Sequence, residues 1–274
     1  MGEALALAAA LCFGITDFVS ALLARRVHSA AVALVAQLGG TALIVGAALL
    51  VPNPSVTAAA LGWGALSGVG TGIGVVFLFR GMGVGKLAVV VPLSDVAGVV
   101  VPVLVGVLLL GERPSALCWL GIVVAAPALW LVTRVARGRP SARGSVDGLV
   151  SGLGFALQFV ALAPVDPAAG LWPLVASRIA SVATILPVAA RAPLRMPRRL
   201  ALAALGSGAV GTLAITCYTL ATREQLLAVA VVLAALYPVV PVLLGITVLR
   251  ERLTRRQAAG LGLAGAAVGL IALA

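Results

Sequence analysis

Residues 101 to 113 read VPVLVGVLLLGER, and residues 240 to 252 read VPVLLGITVLRER. Eight of the thirteen positions are identical, among them Pro102 and Pro241, Gly106 and Gly245, Glu112 and Glu251, and Arg113 and Arg252. Apolar letters recur by chance in an apolar chain, but a proline, a glycine and an acid–base pair recurring in register do not. The copies stand 139 residues apart in a chain of 274, so the chain is a duplication with one copy in each half. Gly121 and Ala125 recur as Gly260 and Ala264 at the same offset, and Asp17-Phe18 answers Gln158-Phe159 at an offset of 141.

The medium follows from what the chain lacks. Hydrophobic residues make up 62% of it and charged residues 10%, against roughly 45 to 50% and 25% in a soluble domain. Too few charges are present to cover a water-facing surface, so the chain belongs in a membrane. Crossing about 30 Å of hydrocarbon takes about 20 helical residues, and ten such segments can be read: 4 to 24, 30 to 51, 58 to 80, 86 to 110, 115 to 133, 147 to 165, 171 to 190, 200 to 221, 226 to 249 and 255 to 273. The runs are long, continuous and rich in Leu and Ala, which favours helices over the short alternating strands of a barrel. The expected fold is an all-α polytopic membrane protein of ten transmembrane helices. Residues 1–134 form a first five-helix repeat, 135–146 a basic cytoplasmic linker, and 147–274 a second repeat. An odd number of helices per copy inverts the second copy relative to the first.

The net charge of +11 does not point to nucleic acid, because the basic residues fall in short runs between apolar blocks instead of gathering on one solvated face. That distribution orients a membrane protein. Counting flanking residues, the loops after odd-numbered spans hold sixteen Lys and Arg, and the opposite set only Arg113 and Arg223. The bias places the basic loops in the cytoplasm and both termini outside an inner, or plasma, membrane. Cys12, Cys118 and Cys217 stand singly in apolar segments, with neither a disulfide framework nor metal-ligand spacing. In the third span Gly64, Gly68 and Gly72 lie four apart, a strip suited to close helix packing.

Some residues demand a reason for being in a bilayer. Asp17, Asp95 and Arg178 lie well inside the first, fourth and seventh spans, where an isolated charge costs at least about 2.5 to 3.5 kcal/mol. Each should face the bundle interior, either in a structural ion pair such as Asp95 with Arg178 or at a site for substrate or proton. At the offset of 141, Gln37 corresponds to Arg178 and Asp17 to Gln158, so the polar interior is asymmetric. Pro92 and Pro102 lie in the fourth span and Pro238 and Pro241 in the ninth. Prolines remove backbone hydrogen bonds, and they read either as packed kinks or as matched discontinuities marking a midplane substrate site. Tyr237, directly before Pro238, could offer a ring and a hydroxyl to a solute or make an interhelical hydrogen bond. Glu112-Arg113 and Glu251-Arg252 end the fourth and ninth spans, where capping of the next helix and local ion pairing are expected. The only histidine, His28, lies in a loop, and no acid–base–nucleophile set converges in the spans, so an enzyme is not expected.

These motifs resemble the drug/metabolite transporter superfamily, in its ten-helix, twice-repeated EamA type. The resemblance is carried by PVLVGVLLLGERPSALCWLG at 102 to 121, PVLLGITVLRERLTRRQAAG at 241 to 260 and FGITDF at 13 to 18. It implies a secondary carrier whose central cavity is built from the first four helices of each half, the fifth and tenth lying peripherally. Family members move amino acids, nucleosides, sugars, sugar phosphates and other small metabolites, many of them outward. Three features depart from the pattern: Phe13 stands where the family often has Trp, Asp17 is an unusual charge, and Arg250 replaces the small residue that Gly111 supplies in the first copy.

The expected function is secondary active transport, as an exporter of small polar metabolites or drugs by alternating access, with an ion channel or divalent-cation transporter as the alternative. Asp17, Gln37, Asp95, Gln158, Arg178 and Tyr237 are the expected substrate-binding residues, and Asp17 and Asp95 the candidates for proton coupling. Pro92, Pro102, Glu112, Pro238, Pro241 and Glu251 are the hinge or motif residues. No cofactor, metal or nucleic acid is expected. The partners are a small-molecule solute, a proton and membrane lipid, with the chain a monomer or weak homodimer.

Overall fold

In the computed structural model of the chain, the residues described are 1–50, 55–84, 87–133, 142–248 and 254–274; side chains are described among these except at 79, 81–84, 87–93, 132–133, 142, 246 and 257. Glu251, Arg250 and Arg252 lie outside the described residues, as does the side chain of Pro92.

Apolar runs with no water to satisfy their backbones form helices, which close all their hydrogen bonds internally. Eleven α-helices occur among the described residues: α1 Gly2–Ala24, α2 Ser29–Leu50, α3 Ala58–Val84, α4 Leu87–Leu108, α5 Ala116–Thr133, α6 Ala142–Leu162, α7 Trp172–Ala189, α8 Arg198–Glu224, α9 Leu227–Ala234, α10 Val239–Thr247 and α11 Arg255–Ala272. Seven stretches are long and apolar enough to cross a membrane, with Leu227–Gly245 taken as one, and three shorter apolar helices accompany them. Leu38, Leu104, Leu120, Val123, Ile179 and Leu213 are exposed, an outer surface suited to lipid and not to water. The protein is an all-α polytopic membrane protein.

Helix starts follow local chemistry. His28 Nδ1 accepts from the Ala30 amide at 3.2 Å, Thr57 Oγ1 from Ala60 at 3.1 Å and Ser115 Oγ from Cys118 at 3.1 Å, each satisfying a donor that the first helical turn leaves free. Asp166 does the same for the 3-10 turn Pro167–Ala169, accepting from Ala168 at 2.8 Å. α6 ends at Leu162, ahead of Pro164 and Pro167, and it starts at Ala142, five residues before the expected limit. Arg80, the last residue of the expected third span, lies within α3 and pairs with buried Asp147 of α6 at 2.9 Å.

The prolines correct a second expectation. Among the described residues the fourth span is continuous and the ninth is interrupted. α4 runs through Pro92 and Pro102 without a break, whereas α9 stops at Ala234 and α10 starts after Pro238. Between them the backbone tightens to three-residue hydrogen bonds, Tyr237 to Ala234 at 3.2 Å and Val240 to Tyr237 at 3.0 Å, the geometry of a 3-10 turn. Pro241 falls in the first turn of α10, where its missing N–H would have had no helical partner.

The halves interleave. α3 packs on α6 and α7, α8 packs on α1 and α2, and α5 packs on α11. Glycine permits the close approaches: a side chain at Gly64 or Gly68 would strike the α7 backbone at Pro173 or Ser177, and one at Gly208 would strike Ala36 of α2. Every residue of α9 is buried, at the centre of the main apolar cluster.

Candidate functional site

The tightened turn between α9 and α10 points the Tyr237 hydroxyl at α4, where it donates to Asp95 Oδ1 at 2.5 Å. The other Asp95 oxygen, Oδ2, is buried and has no hydrogen-bond partner among the described residues. The expected alternative, an Asp95–Arg178 pair, is not what the fold makes, because Asp95 meets the tyrosine instead. α1 completes this corner. A side chain at Gly14 would overlap the Tyr237 carbonyl and Val240, so only glycine lets α1 come this close. Asp17, one turn farther along, lies within electrostatic range of Asp95 and Tyr237. It is exposed in the middle of α1. A charged carboxylate is costly against lipid, and this one shares an electrostatic field with buried Asp95.

Arg178 of α7 anchors a second group. Its Nη1 donates to Gln37 Oε1 of α2 at 2.7 Å and its Nη2 to the Gly211 carbonyl of α8 at 3.1 Å. The two residues that correspond across the duplication therefore touch. Both acceptors are neutral, and among the described residues no carboxylate pairs with this guanidinium. A guanidinium has five N–H donors, so donors remain for a further anion or carbonyl. Gly211 also faces α1, since a side chain there would lie in ordinary contact with Thr16. Thr16 and Ser207 exchange hydrogen bonds at 3.2 and 3.3 Å. The Arg178 group and the Asp17 corner thus meet along the α1–α8 seam.

Gln158 stands apart from the other expected site residues. Its side-chain carbonyl accepts from Thr71 at 2.6 Å and its backbone carbonyl from Ser67 at 3.0 Å, which ties α6 to α3. What its side chain can offer a solute is its amide N–H groups.

Three features escaped the sequence. Phe13, Phe159, Tyr218 and Tyr237 form a chain of rings, with centroids 6.3 Å apart for Phe13–Tyr237, 6.2 Å for Phe13–Phe159 and 4.6 Å for Phe159–Tyr218. Nothing in their spacing shows this, because they come from four elements. Asp147 is a buried acid, signalled only by its place at the end of a basic stretch. Glu112 caps a helix, but not the next one: its carboxylate accepts from Leu227 at 2.5 Å and Ala228 at 3.0 Å, at the start of α9 in the other half. Among the described residues no group of three or more His, Cys, Asp or Glu is gathered to hold a metal.

Comparison with curated proteins finds no match. Among solved structures, one described as "Crystal structure of protein" is similar with a TM-score of 0.76 and 18% identity, over 99% of this chain and 96% of that one; at that identity the likeness concerns the fold alone. The family model of the EamA-like transporter family matches residues 1–134 and 146–273, the two halves separately. The chain, a membrane transport protein and not an enzyme, belongs to the EamA-like transporter family.

Proposed function

We propose that the protein is a secondary active transporter that moves small polar metabolites across the plasma membrane by alternating access, in the export direction, with proton coupling at Asp17 or Asp95. The observation that carries this reading is the placement of Asp17, Asp95 and Tyr237 around a broken helix, beside a guanidinium with neutral partners only. Such groups are expensive in a bilayer and are kept where a solute or ion must pass. The polar faces suit a solute with an anionic group for Arg178 and a cationic or hydroxyl group for the carboxylates. Ten transmembrane helices in two inverted repeats, 1–134 and 147–274, agree with the reciprocal packing of α3 on α6 and α7 and of α8 on α1 and α2. In this reading both termini lie outside and the basic loops in the cytoplasm.

Sealed vesicles carrying the purified protein test the function, with solutes screened under an imposed proton gradient. Gradient-driven accumulation is expected, and Asp17→Asn or Asp95→Asn should abolish it while sparing solute exchange. Proton coupling unchanged in both variants would remove the carboxylates from that role. With an anionic solute, Arg178→Ala should weaken binding more than Arg178→Lys, which keeps the charge and loses the planar fork. Equal affinity in all three forms would return Arg178 to a packing role. For orientation, Ser55→Cys should react with an impermeant thiol reagent outside whole cells and Leu194→Cys should not.

A further inference from the structure

α9 has no cap of its own. Leu226 precedes it and offers no side-chain acceptor, so the first amides, those of Leu227 and Ala228, are satisfied by the Glu112 carboxylate from the other half. Placing a charge there takes several devices. Gly111 turns the chain at φ +69°, the Glu112 amide returns to the Gly106 carbonyl at 3.0 Å, and Gly106 leaves the space that Glu112 Oε2 fills. These are the glycine and acid that the duplication repeats.

The opposite end of α9 is held as well, by Tyr237 on Asp95. Asp95 lies in α4 and Glu112 just beyond its end, so one helix grips α9 at both ends. α9 is eight residues long and wholly buried, about 12 Å at 1.5 Å per residue. It is too short and too tightly packed to bend between its anchors, so a shift at one end must be felt at the other.

We propose that Glu112 is a positioning residue for transport: by clasping the start of α9 it sets Tyr237 on Asp95, and the clasp releases together with that bond when the site turns to face the other side. The inference rests on the alternating-access reading given above. Transport thus has a determinant outside the polar site, at the end of the bundle where α4 stops.

The test reads accessibility and needs no known solute. In a chain with Cys12→Ala, Cys118→Ala and Cys217→Ala, Asp17→Cys is labelled by a membrane-impermeant maleimide from each side in right-side-out and inside-out vesicles. The Glu112 end is the one that labels Ser55→Cys, because α3 and α4 run out and back. Glu112→Ala should raise labelling from the Glu112 end by about tenfold or more and lower it from the other, because charged hydrogen bonds stabilising one state are lost. Glu112→Gln keeps one acceptor oxygen and should fall between. Tyr237→Phe, about 15 Å from Leu227 at 1.5 Å per residue, should shift both rates in the same directions. A bundle that is merely loosened would label faster from both sides, and that result overturns the proposal, as do unchanged rates. If Glu112→Ala does not fold, Glu112→Gln decides on the same two rates. Opposed shifts, with a wild-type chain that moves no solute in the vesicle screen, would keep the clasp and overturn the transport reading; wild-type transport with parallel shifts would do the reverse.

Discussion

The fourth and ninth spans are one stretch written twice, yet α4 runs whole from Leu87 to Leu108 while its counterpart is cut into α9 and α10. At the offset of 139, Pro102 corresponds to Pro241, but Pro238 corresponds to Val99 and Tyr237 to Gly98. The shared proline is therefore not what breaks the helix. α4 carries it through, and α10 places it in a first turn. The break belongs to the unshared Tyr237-Pro238. The acid is unshared too, since Asp95 corresponds to Ala234. The contact at the centre of the site joins a residue found only in the first copy to one found only in the second. Duplication supplied the frame, and divergence within it made the site.

The comparison can be broken most severely by giving α4 the second proline. Val99→Pro should destabilise the purified protein by about 3 kcal/mol or more, since an interior proline removes a helix hydrogen bond and strikes the preceding turn. Thermal unfolding measures this, and an unchanged midpoint would show that Pro238 does not set the break. Next comes the unshared pair. Tyr237→Phe takes from Asp95 its one hydrogen-bond partner among the described residues and should cost about 1 to 3 kcal/mol; combined with Asp95→Ala, the loss should be smaller than the sum of the two single losses. Strict additivity would mean that the two groups do not depend on each other.

Gly111→Arg copies the residue found at position 250 into the first half. At φ +69° a side chain should cost about 1 to 2 kcal/mol, and the same denaturation assay should show a smaller drop than for the tyrosine. Wild-type stability there would free the Glu112 turn from its need for glycine. Pro238→Ala should have the least effect on stability, about 1 kcal/mol or less, because φ −65° and ψ −15° are open to any residue. It should nevertheless stop solute movement in vesicles, by letting α9 and α10 join and turning Tyr237 away from Asp95. Full transport would show that the break is dispensable.

Composition and run length were enough to read the helices, because long continuous apolar runs satisfy their backbones in lipid as helices, whereas a barrel needs short alternating strands. The duplication was legible because Pro102, Gly106 and Glu112 recur in register as Pro241, Gly245 and Glu251. Asp95 was legible as an interior group because a charge has nowhere else to go in a bilayer, and it is buried; Asp17 is exposed and Arg178 half-buried. The correspondence of Gln37 with Arg178 was visible in the repeat, and the two touch at 2.7 Å. Which partner each charge takes was not legible. Asp95 with Tyr237, Arg178 with the Gly211 carbonyl, Gln158 with Thr71 and Glu112 with the start of α9 all join residues distant in the chain. Spacing along a helix fixes which face a residue occupies. The neighbour on that face is set by how α3 and α8 cross into the opposite halves, and by a broken helix that only one copy contains. By itself the sequence determined the helices and the duplication, and it marked the charges that need polar company. Tertiary structure alone decided their pairing, because pairing depends on distances across the bundle that no local rule encodes.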